Sequence, residues 1–525
     1  MKRTKIIALC LLTLALLVAL VSCGGEKPPV DPNGTQAPNV TGAPDVTGTP
    51  DVPVDEPKLE NLKINGTPIT EYKIVVKGAT YGAEYASEYL QEQIFDLTGH
   101  KLTIASSASG AAFYLESIDA RDGKYYIDVE GNSVTLKGTG LYGATTATKA
   151  LLDTIGRNED AKVESVSAPM LTLNNVKKKL EAGALSVGYM GDSIMEAANA
   201  KSYTVFLTEY LQAAYPDSDI QMKNHSIGGK NTTWGLYSME EELLSAGYDD
   251  LIFISLGTND GPYGNDYTQM ALNYQAMIEK IYKNDPETEI VFITHGRKSE
   301  MRSAMWGGEQ ATFITAMLDV ATYYDIPVID VIYEFASTWN NNEETWQYYI
   351  KDTVHPNTEG QKFYSEVIWK TLSVALENSD GAKSAPLSMP SKPLFENSKV
   401  NAVKLSWDSI KDTVIFGTGD EGGWASKGRV TKAGASITIP FEGIGLEFGT
   451  GINDTNPFML LIQIYDENGE LVFEKEMDTA KYYNHFITNE LEYGKYTVKM
   501  TATRASEQYP SERPSFALTD IMIIK

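Results

Sequence analysis

The chain has 525 residues, 42% of them apolar and 22% charged, a composition that excludes whole-chain disorder and leaves room for about three globular units. Asp and Glu number 70 against 44 Lys and Arg, so the formal net charge is −26. That balance argues against nucleic acid as a partner, since such binding draws its affinity from cations on phosphates. Only Cys10 and Cys23 are present, too few for a disulfide framework or a cysteine zinc cluster.

Lys2, Arg3 and Lys5 precede an apolar run from Ile6 to Val21. At about 16 residues the run is short of the ~20 that a membrane-spanning helix needs and suits the core of a secretory signal. It ends in Leu20-Val21-Ser22-Cys23-Gly24, which resembles the lipobox of bacterial lipoproteins. The resemblance implies removal of residues 1–22, acylation of Cys23, and a protein anchored to the membrane on the extracellular side of a bacterial cell. An uncleaved anchor or a plain secretory signal is the alternative. Residues 23–57 are rich in Pro, Gly, Thr, Val and Asp and poor in large apolar side chains, which predicts a disordered linker.

Residues 58–169 predict a small α+β unit. Tyr72–Val76 reads as a strand, and Tyr85, Tyr89, Leu90, Ile94 and Leu97 recur at helical spacing before a Thr98-Gly99 stop. Tyr125–Val129 and Ser133–Leu136 alternate around Gly131-Asn132 as a strand pair, and a helix begins near Gly140. The order resembles the noncatalytic domain that precedes the barrel in hexosaminidases and α-glucuronidases. Asp119, Arg121 and Asp122 read as a solvated turn.

Residues 170–379 alternate apolar strands (Ala184–Met190, Ile220–Ile227, Leu251–Leu256, Glu289–Thr294, Pro327–Val331) with amphipathic stretches. That pattern predicts a parallel sheet covered on both faces, an α/β/α flavodoxin-like unit, with its site at the carboxyl ends of the strands. The polar blocks fall there: Gly191-Asp192-Ser193 after the first strand, Ser226-Ile227-Gly228-Gly229 after the second, Gly257-Thr258-Asn259-Asp260 after the third, and Asp352-Thr353-Val354-His355 before the last helix.

Four such blocks in this order resemble the SGNH hydrolase superfamily, the GDSL-type esterases. A serine hydroxyl becomes a nucleophile once a base takes its proton, so Ser193, His355 and Asp352 form the candidate catalytic triad. The resemblance implies an oxyanion hole of the Ser193 N–H, the Gly229 N–H and the Asn259 amide, with Gly228 competing for the second place. Ser193 has an alternative role as a helix cap. Ile194-Met195-Glu196-Ala197 departs from the family's usual Ile-Thr-x-Gly and leaves the adjacent pocket wall undefined. His295 reads as structural. The remaining histidines show no metal-ligand spacing, and neither a metal nor a cofactor is expected.

Trp306 lies in the loop after the fourth strand, and Trp339 and Trp346 lie in a stretch that carries Asn340, Asn341, Asn342, Glu343 and Glu344, a mixture that suits stacking on a sugar; packing is the alternative. Residues 393–525 alternate in many short strands, which predicts an antiparallel β-sandwich resembling the modules attached to polysaccharide-degrading enzymes, with Trp424 a candidate sugar contact. Together these readings predict a lipid-anchored serine esterase that removes acetyl groups from a polysaccharide. The alternatives are a lipid or aryl esterase of the same superfamily and a noncatalytic glycan-binding lipoprotein.

Overall fold

The structure is a computed structural model that describes residues 58–525 except 79, 199, 264, 307–310, 384–385, 417–427, 431–432, 451–457, 480–483 and 507–515. The signal, Cys23, the linker and Trp424 lie outside the described residues.

The first sheet has six strands: β1 (Lys73–Lys77), β2 (Thr103–Ala105), β3 (Ala112–Ile118), β4 (Lys124–Glu130), β5 (Ser133–Thr139) and β6 (Val166–Pro169), in the order β2-β1-β3-β5-β4-β6. The first four positions pair in parallel and the last two antiparallel. Helices α1 (Tyr81–Thr98) and α2 (Gly140–Ile155) bury Ala86, Leu90, Ile94, Ala144, Ala147 and Leu151 within this unit's core. Gly138 and Gly143 permit the close fold of β5 back onto α2, since a Cβ at Gly138 would come within 2.6 Å of the Gly143 carbonyl carbon.

The second sheet is wholly parallel. Its strands are β7 (Ala184–Gly191), β8 (Asp219–Ser226), β9 (Leu251–Ser255), β10 (Glu289–Thr294) and β11 (Val328–Asp330), in the order β8-β7-β9-β10-β11. Every residue of β9 is buried, as expected of a strand covered on both faces. The covering helices are α3 (Asn174–Glu181), α4 (Tyr203–Ala214), α5 (Thr232–Met239), α6 (Tyr267–Asn284), α7 (Lys298–Trp306), α8 (Thr312–Tyr324), α9 (Val331–Trp339), α10 (Glu343–Tyr349) and α11 (Thr358–Asn378). Helix α5 ends at Met239, where Glu240–Leu244 widens into a π-helical turn.

The C-terminal residues form two five-stranded antiparallel sheets that share one core, including Ile437, Phe448, Ile462, Met500 and Ile521. The chain leading to them is laid along α6: the Phe395 N–H donates to Gln275, and Gln275 donates back to the Phe395 carbonyl. Lys399 is fully buried, pairs with Glu447 of the C-terminal sheets, and donates to Asn273 Oδ1 at 3.0 Å.

In the charged triplet at 119–122, Asp119 and Arg121 are exposed, as expected of a turn, but they also make contacts beyond their own unit. Arg121, at φ 47°, reaches across to the central unit, where its Nε lies 2.8 Å from the buried carboxylate of Glu334 and its Nη2 donates to Thr338 Oγ1 at 2.6 Å. Asp119 accepts from Ser337 in the same seam. The seam borders a cavity of about 250 Å³ lined by Met170, Asp330, Phe363 and Lys370 among others.

Candidate active site

Strand β7 ends at Gly191, where a Cβ would lie 2.6 Å from Met195 Sδ, so the chain turns in a space only glycine leaves free. Asp192 caps the single-turn helix Ser193–Glu196, its Oδ1 accepting from the Ile194 N–H at 2.9 Å. This cap leaves Ser193 half-buried at the strand's carboxyl end rather than engaged as the cap itself. Ser193 Oγ lies 2.9 Å from His355 Nε2, and His355 Nδ1 lies 2.8 Å from Asp352 Oδ2.

The loop carrying Asp352 and His355 is built from its own backbone. Asp352 Oδ1 accepts from the N–H groups of Val354 and His355, at 2.8 Å each, and the Lys351 N–H donates to the His355 carbonyl. Burial raises the Asp352 carboxyl, but the hydrogen bonds from His355 and Val354 outweigh it and hold the group at about 2. Asp352 is thus an anion throughout the range in which an imidazole titrates. The side chains of His355 and Asp352 are 42% and 45% exposed, so the site is open to a bulky ligand.

Two buried residues brace the serine turn. Gln361, on the inner face of α11, donates to the Ile194 carbonyl at 2.7 Å and accepts from the Tyr203 N–H at 2.9 Å. His295, at the end of β10, places Nε2 2.9 Å from Asp192 Oδ1 and Nδ1 2.8 Å from Ser255 Oγ. Burial pushes the His295 ring down to about 3 and the Asp192 carboxyl up to about 7, so the imidazole is neutral and works as a strut. Sequence reading missed Gln361, whose one signal is a polar residue on an otherwise apolar helix face.

The second and third blocks flank the serine. A Cβ on Gly228 would lie 3.5 Å from Ser193 Cβ, and Gly229 follows at φ 74°, a left-handed conformation that favours glycine. The Gly228 N–H donates to Glu196 Oε2 at 2.7 Å, which distinguishes the two glycines. Asn259 Nδ2 donates one hydrogen to the Lys230 carbonyl at 2.9 Å, leaving its second N–H for another acceptor. Beneath them a buried lattice joins Asp260 to Thr232 and Asn265, and joins Thr232 and Thr233 to Asn273. Ala197 stands where the family pattern has glycine and adopts φ 52°, ψ 48°, a backbone state costing an L-residue roughly 1–2 kcal/mol.

Two tryptophans proposed as sugar contacts are corrected by their burial. Trp339 is 0% and Trp346 2% exposed; they pack edge to face, at 4.9 Å between ring centroids, on the inner sides of α9 and α10. A ring with no exposed face cannot stack on a ligand. Trp346 instead donates its Nε1–H to the Asp352 carbonyl at 2.8 Å, behind the triad loop. Trp306 is 39% exposed and meets Trp339 edge-on. Among the described residues no group of three or more His, Cys, Asp or Glu side chains is arranged to hold a metal ion.

Residues 189–363 match the model of the GDSL-like lipase/acylhydrolase family. The central unit belongs to that family. The GDSL-like unit makes the protein a carboxylic ester hydrolase of the SGNH superfamily. No curated protein matches the chain. Among solved structures, a two-domain esterase active on acetylated mannans is similar at 18% identity and a TM-score of 0.51, over 67% of this chain and 95% of its own. The same description with mannopentaose co-crystallised is similar at 18% identity and a TM-score of 0.50, over the same shares. An acetyl xylan esterase is similar at 23% identity and a TM-score of 0.31, over 36% of this chain and 100% of its own.

Proposed function

We propose that the protein hydrolyses acetyl esters on a polysaccharide, with Ser193, His355 and Asp352 as its catalytic triad. The observation that carries this reading is the unbroken hydrogen-bonded line from Ser193 Oγ through His355 to Asp352, at 2.9 and 2.8 Å, at the carboxyl edge of a GDSL-like sheet. His355 Nε2 takes the Ser193 proton as Oγ attacks the acetyl carbon. Asp352, held ionised, stabilises the imidazolium that results. Negative charge developing on the carbonyl oxygen is met by the N–H groups of Ser193 and Gly229 and the free amide hydrogen of Asn259. The protonated His355 then gives its proton to the departing sugar oxygen. Water repeats the sequence on the acetyl-serine, releasing acetate.

The exposed triad supports a polymeric substrate, because the ester of a chain can reach Ser193 without the chain entering a closed cavity. The similarity to an esterase active on acetylated mannans supports a polysaccharide, and the lipobox-like Leu20–Gly24 supports a protein anchored at Cys23 outside the cell.

The test is acetate release from acetylated mannan and xylan by the protein lacking residues 1–57, with Ser193→Ala as control. Release that vanishes in the variant is the expected result. Cleavage of long-chain esters alone would instead favour a lipid esterase. Glycan affinity without any turnover would favour a binding protein.

A further inference from the structure

Glu196 is the one acidic side chain in contact with the glycine turn that flanks Ser193 among the described hydrogen bonds, and the reaction outlined above gives it nothing to do. Its Oε2 accepts from the Gly228 N–H at 2.7 Å. A Cβ at 228 would stand 3.1 Å from that same oxygen, so glycine there leaves the carboxylate its room. The contact also needs the short helix Ser193–Glu196 to stop where it does, and Ala197 closes that helix in a left-handed conformation with its N–H on the Ser193 carbonyl. A non-glycine residue is therefore held in an unfavourable backbone state at the spot that aims Glu196.

We propose that Glu196 is a positioning residue that fixes the Gly228–Gly229 turn, so that the Gly229 N–H is presented to the oxyanion. The proposal rests on the esterase reading given above for its kinetic consequence, but not for its structural one. A charge-assisted hydrogen bond to the Gly228 N–H holds the peptide plane before Gly228, and the Gly229 N–H, one residue on, takes its direction from that plane through the two backbone torsions of Gly228. The Lys230 N–H donates to the Ile227 carbonyl, so the turn is clamped from its far side as well. Removing the Glu196 carboxylate frees a turn made of two glycines, the least constrained pair of residues available. Substrate grip is not expected to change, because Glu196 spends its bond on the backbone.

Glu196→Ala and Glu196→Gln test this, with Ser193→Ala beside them. The alanine variant is expected to lose about 10- to 100-fold in kcat on an acetyl ester with KM within about threefold, since a misaimed donor forfeits part of what a lost one does. The glutamine variant keeps an acceptor oxygen and is expected to recover most of that loss. Hydrogen exchange at the Gly228 amide gives a second readout independent of turnover: protection lost in Glu196→Ala and kept in Glu196→Gln. Wild-type kcat in Glu196→Ala, or unchanged Gly228 exchange, overturns the proposal. Equal damage in both variants does so too. Turnover that survives Ser193→Ala would instead overturn the esterase mechanism, and the exchange experiment would still decide the role of Glu196.

Discussion

Two strand-to-helix turns in this molecule are built alike and put to different ends. One joins β5 to α2 at Thr139-Gly140-Leu141, and the other joins β7 to the helix at Ser193 through Gly191-Asp192. Each opens a helix, each depends on glycine, and in each a buried aspartate accepts from a helix N-terminal N–H. In the first the aspartate is Asp330, donated by another unit, and it receives the Leu141 N–H at 2.6 Å. In the second it is Asp192, from the turn itself. The first turn is sealed, with Gly140, Leu141, Tyr142 and Gly143 all buried. The second leaves Ser193 half open beside His355. Where the aspartate comes from across a seam, the turn becomes packing; where it is local, the opposite side is free for a substrate.

That contrast can be broken by substitution at either turn. The largest effect belongs beside the open one, in the loop after β9 that flanks Ser193: Asn259→Ala is expected to lower kcat roughly 10²- to 10³-fold on an acetyl ester, with the thermal midpoint unmoved. A comparable loss of stability would show that Asn259 serves the fold. At the sealed turn the expectation reverses. A Cβ at Gly143 would come within 2.7 Å of Gly138 Cα, so Gly143→Ala is expected to cost about 1–3 kcal/mol in urea unfolding, with kcat per folded molecule unchanged.

The smallest effect lies in the seam itself. Burial pushes the Glu334 carboxyl up to about 9, with Asp119 adding to the shift, Arg121 opposing it and Asp330 adding again. A carboxyl raised in the folded chain binds its proton more tightly there than in the unfolded chain. Its stabilisation is therefore full below the ordinary value of about 4.3 and is lost as pH rises toward 9. Glu334→Gln is expected to melt with the wild type near pH 4.5 and a few degrees above it near pH 8.5. A parallel pH dependence in the two proteins would place the group's proton elsewhere.

The same comparison explains what could be read from the amino acids. Leu251–Ser255 and Glu289–Thr294 announce themselves because strands covered on both faces are continuously apolar, and polar blocks at their ends stand out against them. Arg121 did not announce its role, since a charged triplet looks like a surface turn until Glu334, 213 residues on, comes beside it. Gln361 was hidden for the same reason: its partners, Ile194 and Tyr203, lie far away in the chain. Trp339 and Trp346 misled because Asn340–Glu344 reads as an exposed sugar-contacting loop. The polar residues there instead end α9 and begin α10, while both indoles turn inward.

Lys399 bears on how this chain could be cut and recombined. Its ammonium group is shared between Glu447 in the C-terminal sheets and Asn273, whose amide holds Thr232 and Thr233 under the glycine turn. A shortened protein ending near residue 379 would leave Asn273 without that cation, and a grafted sandwich without its own lysine would do the same. The C-terminal sheets are therefore tied into the hydrolase unit through a buried lysine, and are not expected to exchange as a free cassette.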